Sequence, residues 1–239
     1  MSGQLKISDD RNKGKSGNEG FANVFLRYAI ATLGMFLSAA GIAMTIIANI
    51  GTAPLSCPAY VLNLKWPALS VGTFNFMVNC TYIFVQVVLL RKAFKPRYLL
   101  QIVASAIFGY MIDLSMDIFS WLDPHTLVSR YGLTLFSCAV SAFGVSLEVA
   151  ADAWMLSAEM TAFALSEVSK KSFSSMKIAM DCTMVVLSAA ACFFFFGNVL
   201  GKGDIYVLGT GTVICAVLIG LCMKLTDPVA EKIVGLLRH

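Results

Sequence analysis

Charge is what this sequence has least of. Only 13% of its 239 residues are Asp, Glu, Lys or Arg, against 58% that are hydrophobic. A water-soluble domain carries about a quarter charged residues, so a chain this poor in charge cannot cover itself against water. Histidine is scarce as well, with His125 and His239 the only two. Seven cysteines (57, 80, 138, 182, 192, 215 and 222) show no C-x-x-C spacing, which argues against a metal site or a disulfide framework. Most fall inside apolar runs and read as small buried hydrophobes.

Other absences narrow the function. There is no Walker A string, so ATP is not the evident energy source. No basic patch with interleaved aromatics lies outside the loops, so nucleic acid is not an expected partner. No cofactor is implied. Ser, His and Asp cannot be assembled into a triad, because one histidine falls in an expected outer loop and the other is terminal. Gly201-Lys202-Gly203-Asp204 matches the G-x-G-D string of intramembrane aspartyl proteases. That chemistry needs a second aspartate facing it at membrane depth, and Asp204 is expected in a loop. An enzyme is therefore not expected.

What the sequence does have is apolar length. Hydrophobic segments fall at roughly 23–49, 70–90, 97–119, 130–151, 174–197 and 204–225, each long enough to cross about 30 Å of hydrocarbon. Two shorter stretches, about 53–65 and 155–168, are too short to cross as helices. Residues 1–21 are polar, Gly/Ser-rich and of mixed charge, as in a disordered tail. No small-residue cleavage pattern follows the first apolar run, so that span is expected to be retained. Residues 227–239 have apolar residues at helical spacing with basic ends and read as an interfacial helix.

Six spans put both termini on one side. In that arrangement Lys6, Arg11, Lys13, Lys15, Arg27, the RKAFKPR loop, Lys170, Lys171, Lys177, Lys224, Lys232 and Arg238 share a face. Only Lys65, Arg130 and Lys202 fall opposite. Basic residues accumulate in the cytoplasm, so both termini are expected there. Were the short stretches to cross as well, RKAFKPR would lie outside, against that rule. They are expected to enter and leave on one side.

The first short stretch follows a break, ANIGTAPLSCPAY (48–60), with Gly51, Pro54, Pro58, Asn49, Thr52 and Ser56. Irregular backbone at membrane depth survives only when packed in protein or lining a wet cavity. Residues 27–49 align without a gap to 130–152, pairing Arg27 with Arg130, Ser38 with Ser141 and Gly41 with Gly144. Asn79-Cys80-Thr81 matches Asp181-Cys182-Thr183. Each half, 22–122 and 128–226 within one membrane domain of 22–226, holds three crossings. An odd number inserts the halves with opposite orientation, as in transporters of inverted-topology repeats. The expected fold is all-α and polytopic, with six transmembrane helices and two re-entrant half-helices whose tips meet near the midplane. Pro54 is expected at the first turn of 53–65, and Ser157 as a cap for the second half-helix.

Ionisable residues inside spans default to functional hypotheses. Lys177 and Asp181 are four apart and can pair; the same spacing recurs, neutral, as Asn75 and Asn79. A locked, merely structural pair is the competing reading. Glu159 sits in the first turn of the second half-helix, where the dipole favours a carboxylate and low dielectric favours taking up a coupling proton. Asn49, Thr52, Ser56, Asn75, Asn79, Glu159, Lys177 and Asp181 are therefore the expected substrate-binding set. Glu148, Asp152, Asp113 and Asp117 are expected to reach the interface.

GIAMTIIANIGTAPLSCPAYVLNL, LSVGTFNF and RKAFKPRYLLQIVASAIFGYMIDL, with LEVAADAWMLSAEM and KIAMD in the second half, resemble the YczE/YyaS/YitT group of bacterial integral membrane proteins. The likeness covers about residues 25–226. That group often has Pro-Gly before the glutamate at 159, where this chain has Ser157-Ala158. The resemblance implies a multi-span inner-membrane protein and brings no substrate with it. From the inverted repeat, the expectation is a secondary transporter for a small polar or charged solute or ion, embedded in lipid. Homo-oligomerisation stays open. The alternative is a non-transporting membrane protein that regulates or scaffolds a partner.

Overall fold

A computed structural model describes residues 21–90, 99–151, 157–171 and 173–237. The chain is built almost wholly from helices: α1 (Phe21–Ala48), α2 (Cys57–Lys65), α3 (Val71–Leu90), α4 (Leu100–Ile118), α5 (Leu127–Ala151), α6 (Ser157–Ser169), α7 (Phe173–Phe196) and α8 (Thr210–Leu237). Between the last two lies a small hairpin, β1 (Gly201–Lys202) and β2 (Ile205–Tyr206). Among the described residues, five helices are long and apolar enough to cross a membrane, and α8 makes a sixth if its two bent segments count as one span. At 1.5 Å per residue, α2 extends only about 13 Å and α6 about 20 Å, short of the hydrocarbon thickness.

The antiparallel pair α1 and α5 forms the centre. Arg27 Nε donates to the Ala151 carbonyl at 3.1 Å at one end, and Gly41 lies against Ser137 and Ser141 at the other. Small residues let these backbones approach closely: a Cβ on Gly144 would meet the Gly34 oxygen at 2.6 Å. α8 runs parallel to α5, linked by Tyr131–Thr210 at 2.8 Å, Cys138–Cys215 at 3.4 Å and Ser146 to Asp227 at 2.6 Å. α4 packs on α1 through Ala104, Phe108 and Ile112, in the cluster that holds Met35 and Ala39. Burial falls off outward: 67% of the α1 span is buried, against 17% of the α7 span.

The two short helices cross-connect the chain. α2 packs on α3 and α7, and α6 packs on α3 and α7. Leu55, just ahead of α2, packs against a cluster of Tyr82, Ala158, Ala162 and Met180. Leu55 and the start of α6 thus belong to one apolar cluster.

Several boundaries differ from the sequence expectation. The last helix begins at Thr210 rather than 204, because the glycine-rich segment before it folds into the hairpin, with Gly203 at φ 59°. It then continues to Leu237, bent by 46° between Met223 and Leu225. Pro228 explains the bend, since it cannot donate to the carbonyl four residues earlier. The stretch beyond packs Ala230 and Val234 against Ile30, Ala31, Leu147 and Ala151, so it is held to the bundle. In α2 it is Pro58, not Pro54, that occupies the first turn.

Candidate functional site

The break after α1 is tied down at every step. Asn49 adopts φ 52°; its Nδ2 donates to the Asp204 carbonyl at 2.9 Å, and its Oδ1 accepts from the Tyr206 N–H at 2.8 Å. Gly51 has φ +116°, and a Cβ there would meet Thr212 Oγ1 at 2.6 Å, so only glycine fits. Thr52 N–H donates to the Val207 carbonyl at 3.0 Å, and its hydroxyl pairs with that of Thr45 at 3.0 Å. Ser56 follows, 1% exposed, its Oγ without a hydrogen-bond partner.

A polar row on α3 meets the start of α6. Asn75, Asn79, Tyr82 and Gln86 recur at spacings of four, three and four residues, so they share one helical face. All four are buried. Asn79 Nδ2 donates to the Asn75 Oδ1 at 2.8 Å and to its carbonyl at 3.0 Å. Its Oδ1 accepts from the Ser157 hydroxyl. Ser157 therefore bonds across to α3 as the first residue of α6. Gln86 Nε2 lies within 3.1 Å of Gln101 Oε1, the Ser157 carbonyl and Thr161 Oγ1. Two amide hydrogens serve three acceptors, while Gln86 Oε1 has no partner.

On α7, Lys177 Nζ stands 3.7 Å from Asp181 Oδ1, with a quarter of each side chain exposed. That is an ion pair too long to be a hydrogen bond, and Asp181 Oδ1 is among the buried atoms without one. Tyr82 lies within electrostatic reach of Asp181, and its hydroxyl also lacks a hydrogen-bond partner.

Of the residues expected to form the site, Asn75 and Asn79 bond each other and meet the start of α6. Ser56 is the N-terminal flank of α2, and Lys177 and Asp181 lie next to Met180 of the shared cluster. Thr52 is fully buried beside Thr45. Asn49 stands apart, as a bracket for the hairpin. Glu159 falls in the first turn of α6, but its side chain lies outside the described residues, as does the whole of Asp152. Glu148 does not reach the interface: it is 3% exposed and accepts from the Ser38 hydroxyl at 3.1 Å. Gln86, Gln101, Tyr82 and Thr161 also belong to this contact; they carry no charge, lie outside the break and, unlike Asn75 and Asn79, do not align with the Lys177–Asp181 pair. The helical period of polar residues on α3 would have found Tyr82 and Gln86.

A family model described as a family of unknown function (DUF6198) matches residues 25–228, and the chain belongs to that family. No curated protein and no solved structure matches it.

Proposed function

We propose, for this member of that family, a secondary transporter of the bacterial inner membrane, with both termini cytoplasmic and a midplane site for a small polar or charged solute between two re-entrant half-helices. On this reading 53–65 dips in from outside, 155–168 dips in from the cytoplasm, and the halves are inverted repeats. The observation that carries it is that Leu55, just ahead of α2, packs against the cluster that holds Ala158 and Ala162 of α6, where Ser157 at the start of α6 bonds Asn79 and Gln86 of α3. Support for the repeat comes from reciprocal contacts. Under the alignment Gly34 corresponds to Ser137 and Gly144 to Gly41, and both Gly34–Gly144 and Ser137–Gly41 are close approaches. Likewise α6 rests on α3 as α2 rests on α7. The similarity to the YczE/YyaS/YitT group fits the same architecture.

The test is solute flux in proteoliposomes across a panel of amino acids, amines, carboxylates and inorganic ions. Glu159→Gln and Asp181→Asn are expected to cut the active flux at least tenfold in protein that remains monodisperse. The rival reading, a scaffold or regulator, draws on α7, whose span is only 17% buried and so offers a broad apolar face. It gains if no panel member moves and every polar residue near the tips can be neutralised without loss of the cellular phenotype.

A further inference from the structure

Two lysines from distant parts of the chain converge on the end of α7. Lys65 closes α2, and its Nζ lies 5.4 Å from the centre of the Phe195 ring. Lys202, in β1, reaches Phe196 from the hairpin, with Nζ 5.8 Å from the ring centre. Both distances suit a cation–π contact. The two rings are neighbours, 6.3 Å apart, and Trp66 meets Phe195 edge to face at 5.5 Å. Lys202 Nζ also donates to the Leu64 carbonyl at 3.1 Å, one residue from Lys65. Three elements thus hold two positive charges over one pair of rings.

That charge is not neutralised within the protein. Among the described residues, neither ammonium is in an ion pair with a carboxylate. Asp204, two residues beyond Lys202, uses its backbone carbonyl to hold Asn49. An ammonium has three N–H donors and no acceptor; Lys202 gives one to Leu64, and both side chains are exposed. The apolar span of α7 ends at Phe196, so these donors stand where hydrocarbon gives way to headgroups. Trp66 is half-exposed there, as tryptophans at the membrane–water interface are. Beside Phe195, at 5.5 Å, the Phe194 ring is 82% exposed. Leu187, seven residues earlier and so on the same helical face, is exposed as well.

We infer that Lys65 and Lys202 bind the phosphate of an anionic phospholipid, of the phosphatidylglycerol type, whose acyl chain lies over Phe194 and Leu187. The non-bridging oxygens of a phosphodiester are acceptors only, the complement of two ammoniums that only donate. The ammoniums alone would serve a dissolved anion equally well; the exposed apolar strip next to them is what fits a lipid. The rings and the Leu64 carbonyl hold the charges in place before the lipid arrives, which lowers the ordering cost of binding. This site is independent of whether the chain moves a solute.

Trp66 reports on the site directly. The test uses full-length protein with Trp121 and Trp154 replaced by Phe, in phosphatidylcholine nanodiscs that carry a minor fraction of brominated lipid. Brominated phosphatidylglycerol is expected to quench Trp66 at least about threefold more than brominated phosphatidylcholine at equal mole fraction, a preference that two lysines at a membrane surface can supply. Lys65→Gln with Lys202→Gln should bring that ratio close to one, and Lys65→Arg with Lys202→Arg should keep it. Arg130→Gln should leave it unchanged, because Arg130 is engaged elsewhere, at the Pro124 carbonyl. Unaltered quenching by brominated phosphatidylcholine shows that a variant keeps its place in the bilayer. Should the double Gln variant lose that, Lys65→Gln alone, which leaves the Leu64 bond intact, decides by lowering the ratio or not. A ratio near one with both lysines present overturns the inference, as does an equal fall in Arg130→Gln and Lys202→Gln, which would mean a diffuse surface charge. Millimolar inorganic phosphate should not relieve the quenching; if it does, the ligand is a dissolved anion and the lipid site is wrong.

Discussion

Gly34 and Gly144 face each other across the α1–α5 crossing so closely that a methyl added to either would meet the other's carbonyl oxygen at 2.6 Å. The relationship is reciprocal, which makes the crossing a fulcrum that neither helix can widen alone. Gly34→Ala and Gly144→Ala should each destabilise the protein by ~1–3 kcal/mol, the usual cost of overpacking. Gly132, further along α5, has nothing within 4 Å of an added Cβ. Gly132→Ala should be neutral or stabilising by up to ~1 kcal/mol through helix propensity. Thermal unfolding in detergent measures all three; equal losses at 34 and 132 would mean that the crossing is looser than described.

Asp113 secures the start of α3 from the neighbouring helix. Its Oδ1 accepts from the Gly72 N–H at 2.7 Å and its Oδ2 from the Ser70 hydroxyl at 2.6 Å. The first turn of a helix has N–H groups with no intrahelical acceptor, and a carboxylate there also favours the dipole. Asp113→Ala should cost ~1–2 kcal/mol, as loss of a cap does, and should speed amide exchange in the first turn of α3. Unchanged exchange there would show that Ser70 caps α3 unaided.

Asn49 is expected to act on structure rather than on solute. Asn49→Gly keeps a backbone suited to φ 52° while deleting both bonds to the hairpin. Exchange of the Tyr206 amide should rise about fivefold, in line with the ~1 kcal/mol net worth of a hydrogen bond, with flux retained. Lost flux with an unchanged Tyr206 amide would return Asn49 to the binding set.

Orientation is tested by labelling. Cysteine placed at Lys65, at the end of α2, should react with an impermeant maleimide from outside intact cells. Cysteine at Lys170, just after α6, should react only after permeabilisation. The reverse pattern would invert the positive-inside assignment; reaction of both from one face would mean that one of the short helices traverses.

Much of the fold was legible because transfer into hydrocarbon is a local property of a segment. The runs that became α1, α3, α4, α5 and α7 stand out by length and polarity alone, and α2 and α6 stand out as too short. Helix ends were less legible. The start of α8 depends on the hairpin and its bracket Asn49, a partner more than a hundred and fifty residues away. Glu148 looked like an interfacial carboxylate because its place near the end of α5 says nothing of Ser38 approaching it from α1.

By itself, then, the sequence determined a membrane chain of long apolar helices with two short interrupted ones, since hydrophobicity and helix length are sums over neighbouring residues. Which polar groups are satisfied was decided only in three dimensions. Gln86 finds Ser157 and Thr161 because α6 lies against α3, while Asp181 and Ser188 occupy corresponding positions on α7 and find no hydrogen-bond partner. A hydrogen bond needs its donor and acceptor within about 3 Å, and that closeness comes from the packing of distant helices rather than from any local pattern.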